Sequence, residues 1–319
     1  MRIFATTVIR GDANSELTGF FYELDWHKNS VKSKIPIPVD SSHPFWNARG
    51  GNRGGRGIVL NKGILYVGTA TSVLKYDTHL NRLGSIEQPL LAGLHEMWAA
   101  ADGIWVTSTV HDLAMKLGFD GEILDEWWGS ESKGLQAAFG YPGRALNLKM
   151  DFGAENFVEG YEQYCADERL HINTVCEYNN AVYVLANRTN ALIRIRPLPE
   201  QVIIRDASLV SPHNGIITER GEALINNTIK QTLNVYDLGS GNRVKEIPTN
   251  IFGERASLQF AKAGWQRGLA HLEGSKYLVG TSPAAIFEVD IDTGEVGKVL
   301  QLDIDIRHCV HGLAAVQNF

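Results

Sequence analysis

Along the chain, short runs of β-branched, aromatic and aliphatic residues alternate with turns rich in Gly, Asn and Asp. Ile64 to Val67, Ile104 to Val106, Val182 to Leu185, Ala223 to Ile225 and Tyr277 to Val279 have the length and composition of strands. Each follows a turn, such as Asn61 to Gly63 or Ala101 to Gly103, and precedes a small polar cluster, such as Thr69 to Ser72 or Asn226 to Thr228. A third strand ends in a recurring Asp at Asp77, Asp120, Asp237 and Asp290, where a carboxylate can hold the amides of a hairpin turn. A fourth strand completes each unit. The best helical pattern is Phe152 to Asp167, where Phe157, Val158, Tyr161 and Tyr164 are loosely periodic.

Stacking the units exposes a second regularity, a basic residue followed by an apolar strand, at Arg56, His95, His171, His213, Arg267 and His311. Successive anchors lie 39, 76, 42, 54 and 44 residues apart, so a plain unit takes about 40 residues, the period of a propeller blade. Four antiparallel strands repeated at this period predict an all-β, six-bladed β-propeller, a single domain over residues 1–319. The unit opened by His311 lacks outer strands, which Ile3 to Ile9, Gly19 to Asp25 and Val31 to Ile37 supply. The C-terminal strand is then expected to pair with N-terminal strands and close the ring. Residues in excess of a plain blade form three insertions, at about 39–55, 129–169 and 249–264. All three join an outermost strand to the next innermost one, so they are expected on one face, around one mouth of the channel.

In architecture and repeat style the chain resembles the six-bladed propellers of the regucalcin/gluconolactonase, strictosidine-synthase and paraoxonase-like group. That resemblance implies a divalent cation on the channel axis, held there by Glu, Asn and Asp. Here the matching positions at the start of the innermost strands are His and Arg. The anchor set is nearer in type to propellers that hold a transition metal through several His.

Radial symmetry brings the six anchors to one level around the axis. His95, His171, His213 and His311 are the candidate metal ligands, since neutral imidazole suits Zn, Fe, Cu or Ni, with Mn possible if carboxylates join, better than Ca. Arg56 and Arg267 are candidates to clamp a carboxylate or phosphate of a substrate in their planar guanidinium forks. The alternative for both is to pair with acids such as Glu96 or Glu177 and seal the channel. His111, three residues past Ser108, is the candidate general base. Arg10, Asn187, Asn227 and Lys230 fall in polar clusters expected at the same mouth, and Trp46 and Trp265 lie in inserted loops where they could stack on a ligand. The Gly-rich, basic stretch Arg49 to Arg56 reads as a lid entering its blade, because no helix follows it as in a phosphate loop.

Charge changes this picture in one respect. Lys and Arg number 30 against 36 Asp and Glu, a net charge of −6, which argues against nucleic acid or an anionic membrane as a partner, although the axis itself is basic. Cys165, Cys176 and Cys309 are odd in number and lack CxxC spacing, and the apolar stretch Ile3 to Ile9 is too short for a signal peptide or membrane span. Both features fit reduced thiols in a cytoplasmic protein. The reading that follows is a metal-dependent lyase, isomerase or hydrolase acting on a small anionic organic molecule at the axis. The alternative is a non-catalytic ligand-binding or protein-interaction propeller.

Overall fold

Six four-stranded antiparallel sheets are arranged around a central axis, with one additional two-stranded ribbon, in the computed structural model of the chain. The structure describes residues 1–319 apart from 12–13, 44–45, 48, 144–167, 253–256, 259–260 and 317–319. In blade 1 the innermost strand is His308–Val316, followed outward by Arg2–Ile9, Phe20–Asp25 and Ser30–Pro36, so the two ends of the chain share one sheet. Val8 faces Cys309 and Ile3 faces Ala315 across the closing pair. Blades 2 to 6 run in sequence order, with innermost strands Ile58–Asn61, Met97–Ala99, Ile172–Tyr178, Pro212–Ile217 and Leu269–Glu273. Each innermost strand contacts the next, and Leu269–Glu273 contacts His308–Val316, which completes the ring.

Alternation along the strands turns one face of each blade toward one neighbour and the other face toward the next. Among the described residues the buried apolar side chains accordingly fall into six clusters, each in the gap between adjacent blades. Trp105, 2% exposed, shows how a gap is sealed: its ring is buried between blades 3 and 4 while Nε1 donates to Glu177 Oε1 at 2.7 Å. Trp26 Nε1 donates to Glu288 Oε1 of blade 6, and Trp127 Nε1 to Glu200 Oε1 of blade 4. Burying a large side chain of this kind contributes about 1.5–3 kcal/mol, and the indole N–H avoids the cost of burial without an acceptor.

Three of the four recurring Asp residues, Asp77, Asp237 and Asp290, act as the repeat suggests. Asp77 Oδ1 accepts from the amides of His79 and Asn81, Asp237 Oδ1 from Ser240, and Asp290 Oδ1 from Asp292 and Thr293. These bonds favour the charged carboxylate and lower the pKa of each.

All three insertions join an outermost strand to the innermost strand of the next blade. The first carries Asn52, whose side-chain amide donates to the Asp40 carbonyl at 2.7 Å. The second holds a short helix, Lys133–Phe139, capped at its N-terminus by Ser132, whose hydroxyl oxygen accepts from the Leu135 amide, and ended at Gly140 in the left-handed region. The helical pattern at Phe152 to Asp167, with Cys165 inside it, lies outside the described residues. The third carries the two-stranded ribbon Ser257–Leu258 and Ala261–Lys262. Cys176 and Cys309 are buried free thiols, and burial pushes Cys176 up to about 12, so it has no nucleophilic character near neutrality. No described helix is long and apolar enough to cross a membrane.

Candidate functional site

Five of the six anchors stand at inner-strand entrances, and His311, expected to start its strand, does not. Arg56, His95, His171 and Arg267 lie just ahead of their strands, and His213 lies at the start of its strand. His311 sits within its strand at a β-bulge, because Thr6 faces Gly312 and Thr7 faces Val310. The bulge re-aims a side chain that regular pairing would direct elsewhere. No residue with a Cβ fits after it: at Gly312 a Cβ would stand 2.0 Å from the Arg56 carbonyl oxygen. In ring order the anchors form two halves, His95, His171 and His213 on blades 3 to 5, and Arg267, His311 and Arg56 on blades 6, 1 and 2.

The histidine half is tightly grouped. Ring centroids lie 5.2 Å apart for His95 and His171, 6.0 Å for His95 and His213, and 6.4 Å for His171 and His213. One potential ligand atom from each lies within 4.8 Å of the others. Each Nδ1 meets an oxygen acceptor: Gly93 O at 2.8 Å for His95, Ser211 O at 2.9 Å for His213, and Glu168 Oε2 at 2.7 Å for His171. A carbonyl or carboxylate can only accept, so Nδ1 carries a proton in all three rings, and the neutral rings of His95 and His213 keep a lone pair on Nε2. Burial above all holds His95 and His213 well below the usual imidazole range; next comes His171 for His95 and Arg267 for His213.

Local structure sets these orientations. Asp112, in the left-handed region at φ 52°, accepts from the amides of Arg169 at 2.7 Å, Leu170 at 3.0 Å and His171 at 2.8 Å, which fixes the corner where the second insertion returns to blade 4. Thr109 donates to the Ile172 carbonyl and also lies 2.9 Å from His95 Nδ1, linking blades 3 and 4 at the level of the rings. Beside His95, the Glu96 carboxyl receives Asn214 Nδ2 and the Met97 amide. Burial outweighs both bonds and pushes its pKa up to about 8, so this group is largely the neutral acid at pH 7.

The arginine half differs. Arg56 Nη1 donates to His311 Nε2 at 3.0 Å and Arg56 Nη2 to the Gly50 carbonyl of the first insertion. His311 therefore carries its proton on Nδ1. Burial, then Arg56 and Arg267, hold it well below the imidazole range, and Nδ1 is buried without a partner. Arg267 is 7% exposed, and its Nε and Nη1 have no hydrogen-bond acceptor. Arg10 Nη1 donates to Arg49 O at 2.8 Å while its Nε is unpartnered. The guanidinium carbons of Arg10 and Arg267 each lie 5.9 Å from the Trp265 ring. Glu96 and Glu177, the acids that could have paired with Arg56 and Arg267, are engaged by Asn214 and Trp105 instead. No ion pair among the described residues includes Arg10 or Arg267.

The insertions thus reach the axis through Arg49 and Gly50, Glu168, and Trp265. The remaining sequence candidates have other neighbours. His111 is buried with its ring 6.1 Å from Trp128 on the outermost strand of blade 3. Trp46 stacks under the Arg53 guanidinium at 4.5 Å. Asn187 Nδ2 donates to Pro212 O at 3.0 Å, and Asn227 Oδ1 accepts from the Val210 amide at 2.7 Å, so both brace the loop leading to His213. Lys230 is exposed at a hairpin tip. Sequence reasoning missed Glu168, at the end of the long insertion, and Asp112, in the turn before the third strand of blade 3. It also missed Gly93 and Ser211, which act through backbone carbonyls and leave no trace in side-chain chemistry.

No protein-family model matches the chain, and no curated protein matches its sequence. Fold and site together define a six-bladed β-propeller with a His- and Arg-lined axis. Among solved structures it is similar to a protein of unknown function from Bacteroides caccae, at 10% identity and TM-score 0.62 over 99% of this chain and 100% of that one. It is similar also to a chain of the nidogen/laminin complex, at 9% identity and TM-score 0.62 over 98% and 97%. Virginiamycin B lyase from Staphylococcus aureus aligns over 98% of this chain and 92% of that one, at 10% identity and TM-score 0.53. At such identities the likeness is one of fold.

Proposed function

We propose that the protein is a metal-dependent enzyme whose His95, His171 and His213 hold a divalent transition metal and whose arginine half binds a small anionic substrate beside it. The observation that carries this reading is the shared anchoring of three Nδ1 protons on Gly93, Glu168 and Ser211, in three rings of which one possible ligand atom each lies within 4.8 Å of the others. Metal-binding imidazoles are oriented in this way, by an acceptor for the second ring nitrogen. An all-nitrogen set suits Zn, Fe, Cu or Ni, with Mn a further candidate, and such an ion would supply Lewis acidity toward a substrate oxygen, in lyase, isomerase or hydrolase chemistry. The chain's own part is to exclude water with the inserted loops, to orient the substrate anion with Arg267 and Arg10, and to position His311 through Arg56. Elemental analysis of protein purified without chelator tests the reading. A stoichiometric transition metal is expected, absent from a His171→Ala/His213→Ala variant. A metal-free wild-type protein that gains no ion on titration would favour a non-catalytic ligand-binding propeller.

A further inference from the structure

Within the arginine half, five buried nitrogens lack any acceptor: Arg10 Nε, Arg267 Nε and Nη1, His311 Nδ1 and Trp265 Nε1. All five are donors. Arg10, Arg267 and His311 are 9%, 7% and 1% exposed, so water cannot take the place of a partner for most of their surface. Buried N–H groups are nearly always bonded, and a buried guanidinium without an acceptor or an opposite charge is costlier still. Fixing the proton of His311 on Nδ1 adds to the pattern, because Arg56 occupies the one ring nitrogen that could accept. The charge is equally one-sided. Arg10, Arg56 and Arg267 place three cations around one neutral imidazole, and Glu96 and Glu177 are bonded elsewhere.

A ligand that completes this half must bring several oxygen acceptors and more than one negative charge. We infer that the arginine half is a subsite for a doubly charged oxyanion, the phosphoryl group or paired carboxylates of an organic molecule, gripped by Arg10 and Arg267 with Trp265 between them and with His311 Nδ1 as a further donor. A single carboxylate would leave donors unfilled and cations uncompensated. Arg56 is the positioning residue of the set: it bonds His311 and Gly50 and sets the tautomer rather than gripping the anion. The inference deepens the function proposed above by naming the substrate's charge, and it rests on that reading for its link to catalysis, but binding itself needs no metal.

The test is titration of the full-length protein, with and without chelator, at pH 8 with inorganic phosphate, malonate and acetate, followed by calorimetry and tryptophan fluorescence. Phosphate or malonate is expected to bind at least tenfold more tightly than acetate, and the preferred one of the two identifies the source of the charge. Arg267→Gln and Arg10→Gln should each weaken that binding at least tenfold. Acetate binding as tightly as the dianions, or both arginine variants binding like wild type, or no binding of any of the three, would overturn the subsite. Dianion binding retained in a protein shown to take up no metal would sink the metal reading and leave this one standing.

Discussion

His95, His171 and His213 give every Nδ1 proton to an acceptor supplied by the chain, while Arg267, His311 and Arg10 keep buried donors that nothing in the chain fills, although the His311 ring lies only 5.7 Å from that of His95. The two halves share a fold position and a basic character, and they differ in what is missing. The histidine half groups three rings whose Nδ1 protons are held by the chain, whereas the arginine half holds donors that the chain leaves without an acceptor. On the proposed function the first half takes the cation and the second the oxyanion, and substitutions in each half separate the two roles.

The largest effect is expected from ligand removal: His213→Ala should lower affinity for the transition metal at least a hundredfold, measured by competition with a chromophoric chelator. Glu168→Gln tests the anchoring rather than the ligand. It leaves all three imidazoles in place but weakens the acceptor that fixes His171, and about a tenfold to hundredfold loss of metal affinity is expected. An unchanged affinity would mean that the Nδ1 contacts are incidental.

In the arginine half the sign reverses. Arg267 is a buried cation without an acceptor, and burial, then Arg10, push its pKa well down. Arg267→Met should therefore stabilise the protein against urea by about 1–3 kcal/mol while abolishing dianion binding. Destabilisation would show that Arg267 is satisfied in solution and would remove the contrast between the halves.

Common to both halves is the response to pH. His95, His213 and His311 have depressed folded-state pKa values, so the unfolded chain binds more protons once pH falls below about 6.5, and stability is lost in that direction by roughly 1 kcal/mol per pH unit for each group. Glu96 has the opposite sign. Its pKa is raised to about 8, so the stability it contributes is present at acid pH and lost as pH rises toward 8. Denaturant midpoints of chelator-treated protein should accordingly peak near pH 6.5. A midpoint that stays level from pH 5 to 6.5 would contradict the buried neutral imidazoles.

Much of this was legible in the sequence because a propeller repeats itself. The basic anchors recur at the blade period, so Arg56 to His311 could be placed on one ring, and the Asp-opened hairpins, closure by the last strand and the three insertions followed from the same register. What could not be read was local. His111 has a base-like position in sequence, yet its ring packs against Trp128, because the three-residue turn Thr109–His111 rotates it off the strand direction. Asn187 and Asn227 are polar residues near the mouth, but their amides are spent on loop backbone. The division of the ring into a satisfied and an unsatisfied half depends on backbone carbonyls and on one Arg–His contact between residues 255 apart, which no residue type announces.

The most direct test of that division is metal content measured in parallel on wild type, His171→Ala/His213→Ala and Arg267→Met, all purified without chelator. A stoichiometric transition metal in wild type and Arg267→Met, and none in the double histidine variant, is the predicted result. Metal absent from all three, or lost equally from Arg267→Met, would contradict the account.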